Sequence, residues 1–439
     1  MRLNPALASV ATVLSLTSSA RATTILRGPF LQAVTTTEAT LVFDLSEPAH
    51  AEVRIQGVVA GELQLPSTSS ERHHEVRITG LEPDQEYRYS VHVEGGEDRY
   101  QQVTFRTAVE TGSPFSMLLV GDTRSGHGEH AALVAAMQQE DARLIINTGD
   151  LVGDGEDDDQ WNVFFSIERP LLSRVPLYPV VGNHDTHLGD AANFRDVFAL
   201  PGDKLYYSFD YSNAHFVVLD GHANTDLLCV KDEQVVLNCF DEPQLQWLET
   251  DLSAACERAD TKWVFVAVHD GPYSSKDDRY GSSQMRDLLP LLGRYGVTAI
   301  FSGHDHYYER GVSDNGIPYV IAGGGGAGLY DIAEPCDFPH TMVTNAQVHH
   351  YVSLDVGPDL VRLTAKTADG TVLDETTFDT AKSCGASPPS EQPATAADAD
   401  GGCHAAPGEN PGRYGFLAAA VGMGLAWGAR RRRQRLREG

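Results

Sequence analysis

The chain has 439 residues, 41% apolar and 8% aromatic, enough to bury more than one core. Acidic residues outnumber basic ones 61 to 33, a formal charge of −28, so long-range electrostatics repel nucleic acid and argue against a sequence-tolerant nuclease. Small phosphorylated substrates stay open, because bound cations invert the field around themselves.

In chain order, residues 1–22 come first, with Arg2, an apolar stretch around Ala6 to Leu16 and an A-x-A ending at Ala20 and Ala22. They predict a secretory signal peptide cut after Ala22, hence an exported protein. Between Thr23 and Cys403 the charge count falls to about −35. Over 23–109, short alternating runs such as ATLVFDL, AEVRIQG, HHEVRITG and YRYSVHVEG are separated by turn clusters at Glu82-Pro83-Asp84 and Gly95-Gly96. This spacing predicts an all-β antiparallel sandwich in which His73-His74 is an exposed strand pair rather than a metal site.

Over 114–380 the period changes. The runs SMLLVGD, ARLIINTGD, VPLYPVVGNHD, HFVVLD, WVFVAVHD and VTAIFSGHDH each end in polar residues. Helical patterns lie between several of them, notably Glu129 to Glu140, Glu242 to Glu257 and Ser283 to Tyr295. Alternating buried strands and helices predict an α/β body of sheets flanked by helices, whose ligands bind at the carboxyl ends of strands. The Gly323 to Gly326 run reads as a flexible loop without phosphate-cradling context. The acidic run Asp154 to Asp159 reads as a solvated loop, with a Ca²⁺ site as the alternative.

Five strand-end motifs carry the chemistry: Gly121-Asp122-Thr123-Arg124, Gly149-Asp150, Gly182-Asn183-His184-Asp185, Val268-His269 and Gly303-His304-Asp305-His306. Asp122, Asp150, Asn183, His269, His304 and His306 supply the mixed oxygen and nitrogen donors that two adjacent divalent cations need. With these motifs, and with phrases such as PLYPVVGNHD and FSGHDHYYER, the chain resembles the calcineurin-like metallophosphoesterases, in particular the purple acid phosphatase-like bacterial branch. The segment TGLEPDQEYRYSV likewise looks like the corner of fibronectin type III-like domains, including the one that precedes purple acid phosphatase catalytic domains.

The resemblance implies a dinuclear site in which Asp150 bridges. Asn183, His269 and His304 would complete one metal, and Asp122 with His306 would serve the other. It also implies His184 as the proton donor to the leaving oxygen, oriented by Asp185. Two departures stand out. The family pattern Asp-x-His has Arg124 at its third position, and a guanidinium cannot ligate a metal. The expectation is that Arg124 contacts substrate phosphate and leaves the Asp122/His306 metal weaker. Gly153 stands where the purple enzymes place a tyrosine, which implies no ferric–tyrosinate colour and Mn²⁺, Zn²⁺ or Fe²⁺ as the metals. His127, His130, His187 and His222 read as polar surface or pocket lining, with His127 the candidate to replace the missing ligand.

Residues 383–412 form a low-complexity linker holding Cys403, and 413–439 combine an apolar run of 16 residues, Tyr414 to Ala429, with an Arg cluster. That run is short against the roughly 17–25 residues of a full span. Together they resemble the tripartite C-terminal sorting tails of myxobacterial exported proteins. The resemblance implies cell-surface or outer-membrane association, with Cys403 as the anchoring residue, and a permanent single span is the alternative. Of six Cys, Cys229 and Cys239 could bridge a short loop, and the other pairings stay open. The leading expectation is an exported phosphatase-like hydrolase acting on a small phosphorylated substrate, monoester before diester, with no nucleic acid partner. The alternatives are a surface binding or adhesion protein with a degenerate metal site, and a phosphodiesterase or nuclease.

Overall fold

A computed structural model describes residues 22–57, 61–65, 68–96, 100–186, 191–222, 229–231, 234–236, 240–276, 280–332 and 341–379, together with Cys384. The amino-terminal part is built of two antiparallel sheets. One has the order Ile25–Gln32, Glu38–Ala49, Glu71–Thr79. The other runs Gly61–Gln64, Ala51–Gly57, Glu86–Val93, Tyr100–Arg106. Alternate residues of both sheets, among them Leu41, Phe43, Val53, Ile55, Ile78, Tyr89 and Val91, point into a common core. Tyr87 closes the corner before its strand: its hydroxyl accepts the Glu82 amide at 2.8 Å. The strand alternation corrects the reading of the His73-His74 pair. His74 faces inward and stacks on Phe43 at 4.8 Å, while His73 pairs with Asp44 at 2.7 Å.

The α/β part packs two sheets face to face. The first has the order Leu177–Pro179, Leu144–Asn147, Phe115–Val120, Tyr351–Val356, Val361–Lys366, Val372–Phe378, its first three strands parallel and the rest antiparallel. The second has the order Tyr207–Tyr211, Ala214–Val218, Trp263–Ala267, Ala299–Ser302, Pro318–Ala322, Tyr308–Val312, Thr341–Ala346, with four parallel strands at its centre. Strands buried on both faces are apolar along their length, as WVFVA is and as Leu144 to Ile146 are before the polar Asn147. A ladder of rings, Phe209, Phe216, Phe265 and Phe301, crosses the second sheet with spacings of 4.8, 5.3 and 5.3 Å. Tyr178 of the first sheet stacks on Phe209 at 3.7 Å and locks the layers together.

The helices Glu242–Glu257 and Ser283–Arg294 bury Leu248, Leu252, Met285 and Leu292 with Val264, Val266 and Ile300 of the second sheet. Each opens on a side-chain cap: Asp241 accepts the Gln244 amide and Ser282 that of Met285. The first helix covers His127–Met137. A further helix, Asp158–Leu172, stands where the acidic run reads as a loop. Asp157 caps it, and Asp158 and Asp159 favour its positive amino end, so the acidic run is a turn over residues 154–157 that leads into a helix at Asp158. Its apolar face, with Trp161, Phe164 and Phe165, meets Phe30 of the sandwich at 4.7 Å from Phe165. Arg27 fastens the same junction through Asn162 and Asp158.

Cys256 and Cys384 are disulfide-bonded, tying the residue that follows the last sheet back to the end of Glu242–Glu257. The side chains of Cys229, Cys239, Cys336 and Cys403 lie outside the described residues, as do the signal segment before Ala22, the linker and the tail. Among the described residues no helix is long and apolar enough to cross a membrane.

Candidate metal centre

Every strand-end motif opens at one edge of the two packed sheets. Asp122 follows Phe115–Val120, Asp150 follows Leu144–Asn147, Asn183 begins the single turn Asn183–Thr186, and His269, His304 and His306 follow Trp263–Ala267 and Ala299–Ser302. Two donor groups result: Asp150 with His269 and His304, and Asp122 with Asp150 and His306, the atoms in each within 4.8 Å of one another. Asp150 belongs to both, as a bridging carboxylate must. Asn183 precedes His184, whose amide donates to Asp150 Oδ1, and its own Oδ1 is buried and without a hydrogen-bond partner among the described residues.

The backbone is bent to achieve this. Asp122, Asp150 and His304 all have left-handed φ, at 56°, 55° and 67°, a conformation that costs about 1–3 kcal/mol per non-glycine residue. Glycine is needed beside them. A Cβ on Gly182 would strike the side chain and amide of Asp150, and one on Gly149, at φ 104°, would lie 2.5 Å from His269 Nδ1.

The imidazoles are oriented from behind. His269 donates from Nδ1 to Thr148 O at 2.8 Å and His306 from Nδ1 to Gly328 O at 2.6 Å, leaving both Nε2 atoms facing the carboxylates. His306 Nε2 lies 3.3 Å from Asp122 Oδ1, a buried oxygen with no hydrogen-bond partner among the described residues, and His269 Nε2 lies 3.3 Å from Asp150 Oδ1. His304 Nδ1 stands 3.1 Å from His269 Nε2. This mixture of carboxylate oxygens and imidazole nitrogens, converging within a few ångströms, is a donor set that fits two divalent metals.

Residues 115–308 match the family model described as Calcineurin-like phosphoesterase. This segment is a calcineurin-like metallophosphoesterase domain. Residues 22–111 match a second model, a domain of unknown function, DUF7800. The chain is 30% identical over 252 residues to purple acid phosphatase 22 of Arabidopsis thaliana, covering 54% of this chain and 53% of that protein. It thus spans about half the length of the curated relatives it matches. In fold it is similar to purple acid phosphatase PPD1 of yellow lupin, Lupinus luteus, with a TM-score of 0.67 at 19% identity over 80% of this chain and 74% of that one. A structure of PhoD gives 0.63 at 12% identity, over 82% and 90%. The segment thus matches a metallophosphoesterase model and has purple acid phosphatases among its curated relatives.

Within the phosphoesterase domain, Asp185 does not reach the His184 ring, contrary to the expectation that it orients this imidazole. It is buried, and its oxygens accept the amides of Asp150, Gly182, Leu151 and Val152 at 2.9 to 3.2 Å. Burial and the charge of Asp150 push its carboxyl up, to about 8, against the pull of those amides. The His184 ring is held instead by Gly153 O, 2.8 Å from Nδ1, with Nε2 3.9 Å from Asp150 Oδ2. Burial opposes charge on both Asp150 and His269, yet each stabilises the other. Asp150 is held well below the usual carboxylate range and His269 is lifted to about 10.

His127 is exposed, and no hydrogen bond or ion pair joins it to the cluster, so it does not replace the missing ligand. His130 is buried against Glu168 at 2.7 Å. His222 does line the site, 5.2 and 5.8 Å from the rings of His269 and His304, and His187 lies outside the described residues. Sequence reasoning missed Tyr330, which stacks on His306 at 3.9 Å and has Lys276 Nζ 4.5 Å from its ring centre. A ring that meets the site only through the fold leaves no spacing signal. The Gly323 to Gly326 run is not a flexible loop but a buried one: Gly325 N and Ala327 N donate to Gly121 O and Asp122 O, both at 2.8 Å.

Proposed function

We propose that this chain is an exported two-metal phosphoesterase that hydrolyses small phosphate esters, monoesters before diesters. The observation that carries the reading is Asp150, shared between two donor groups, beside an Asp122 Oδ1 that is buried and without a hydrogen-bond partner among the described residues. Asn183, His269 and His304 would hold one cation beside Asp150, and Asp122 and His306 the other. Bound there, divalent cations neutralise phosphate oxygens and supply a nucleophile from water near neutral pH. His184, anchored through Nδ1, presents Nε2 to the site as the proton donor to the leaving oxygen, a contribution of roughly 10²–10⁴-fold. Arg124, whose guanidinium lies against Asp150 and His306, would turn its planar fork to phosphate.

The acidic surface supports a small substrate over nucleic acid. The three-plus-four strand order and the Tyr87 corner support a fibronectin type III-like reading of the sandwich. Export through residues 1–22, purple acid phosphatase-like bacterial ancestry, and surface attachment through 383–439 with Cys403 rest on the sequence patterns alone. The test is phosphate release from an aryl phosphate and a bis-aryl phosphodiester by the full chain with Mn²⁺, Zn²⁺ or Fe²⁺, beside Asp150→Ala. Turnover that Asp150→Ala abolishes supports the reading and chooses between the ester classes. A folded protein without turnover on any metal would move the assignment to a binding or adhesion protein.

A further inference from the structure

Arg124 stands two residues past Asp122, and its own amide donates to Asp150 O at 3.3 Å, which fixes where its side chain begins. From there the guanidinium reaches across the site. Nε donates to Asp150 Oδ2 at 3.2 Å and Nη2 to His306 Nε2 at 3.3 Å. Both acceptors belong to the group formed by Asp122, Asp150 and His306. A guanidinium only donates and the Gly328 carbonyl only accepts, so His306 keeps its proton on Nδ1 and turns its Nε2 lone pair to Arg124. That lone pair and Asp150 Oδ2 are the atoms a cation bound in this group would use. Asp150 thus divides its oxygens: Oδ2 meets Arg124, while Oδ1 faces His269 and the other group.

Resting on the two-cation reading above, we infer that Arg124 is a displaceable guard of the Asp122/Asp150/His306 position. It satisfies Asp150 Oδ2 and His306 Nε2 of that position until a phosphate group draws the guanidinium away, so that phosphate and the second cation bind cooperatively. Two charge arguments drive the exchange. A guanidinium and a divalent cation a few ångströms apart repel each other, most strongly where burial lowers the dielectric. A phosphate offers the guanidinium two parallel acceptors in place of the two it gives up, which matches the planar fork better than a carboxylate and an imidazole on different strands. The coupling is reciprocal, so the second cation tightens phosphate by the factor that phosphate tightens the cation.

The experiment is equilibrium dialysis of the full chain with Mn²⁺, with and without inorganic phosphate, and electron paramagnetic resonance to detect an exchange-coupled Mn²⁺ pair. Wild type is compared with Arg124→Ala and Arg124→Lys. In wild type without phosphate, the second Mn²⁺ binds more weakly than the first, and phosphate tightens it by about tenfold or more. Arg124→Ala binds the second Mn²⁺ about tenfold more tightly than wild type without phosphate, and gains less when phosphate is added. Arg124→Lys falls between them, because an ammonium keeps the charge but cannot span Asp150 and His306. If Arg124→Ala takes up the second Mn²⁺ no more tightly than wild type, the guard is overturned. It is equally overturned if Arg124→Lys behaves as wild type, since charge alone would then account for the effect. Two Mn²⁺ of equal affinity in wild type also overturn it and leave the phosphoesterase reading intact, whereas no Mn²⁺ bound by any variant overturns both.

Discussion

The carboxylate of Asp185 accepts the amide of Asp150 at 2.9 Å, so the residue expected to steer His184 instead holds the backbone of Asp150. Asp150 sits at φ 55°, and three further amides on Asp185 pin the turn that makes this conformation possible. Asp185→Asn places an amide NH₂ among N–H donors. It is expected to weaken Mn²⁺ binding by about 10–100-fold, measured by calorimetric titration. Unchanged metal affinity with a shifted acid limb of the rate profile would return Asp185 to the role of orienting His184.

His184 makes a different prediction, because its imidazole is anchored on Gly153 O and its Nε2 stands 3.9 Å from Asp150 Oδ2, beyond hydrogen-bond reach. His184→Ala is expected to keep both Mn²⁺ affinities and to lose about 10²–10⁴-fold in turnover of an alkyl phosphate, whose leaving oxygen needs a proton. The loss on an aryl phosphate with an acidic phenol should be much smaller. Equal losses on both esters would remove the general-acid assignment.

Gly182 tests the backbone side of the site. A methyl group there meets Asp150 directly, so Gly182→Ala is expected to disturb the bridging carboxylate and abolish turnover while the circular dichroism spectrum stays that of the wild type. Retained metal binding and turnover would mean that the loop yields without cost.

His350 offers a pH test away from the metals. It is buried beside Gly324 and Tyr308, and burial holds its imidazole down, to about 4. Its folded pKa lies below the unfolded value of about 6.5, so the unfolded chain takes up the proton first. The stabilisation is present above about pH 6.5 and is lost as pH falls toward 4, by about 3 kcal/mol in all. Denaturant unfolding of wild type and His350→Gln across that window should show a shallower fall for the variant, and parallel curves would refute the assignment.

The site was more legible in the sequence than the packing around it. Asp122, Asp150, Asn183, His269, His304 and His306 each follow an apolar run that can only be a buried strand, so chain order alone brings them to one edge. The helix Asp158–Leu172 was hidden because its acidic first turn resembles a solvated loop, and only the cap by Asp157 and the aromatic face against Phe30 show its purpose. Asp185 was misread for a related reason: adjacency to His184 suggests a partner, whereas a helical turn points successive side chains apart. The pairing of Cys256 with Cys384, 128 residues apart, carries no local pattern at all.

That pairing has a mechanical consequence. The strand Val372–Phe378 lies at the edge of its sheet, held on one side by Val361–Lys366, and a pull on the chain beyond it would unzip the pair rung by rung. With Cys384 bonded to Cys256, tension arriving from residues after 384 is handed to the end of Glu242–Glu257 before it reaches that edge. The load then falls on a covalent link and a helix packed through Leu248 and Leu252, and the sheet that carries Asp122 and Asp150 is shielded from it.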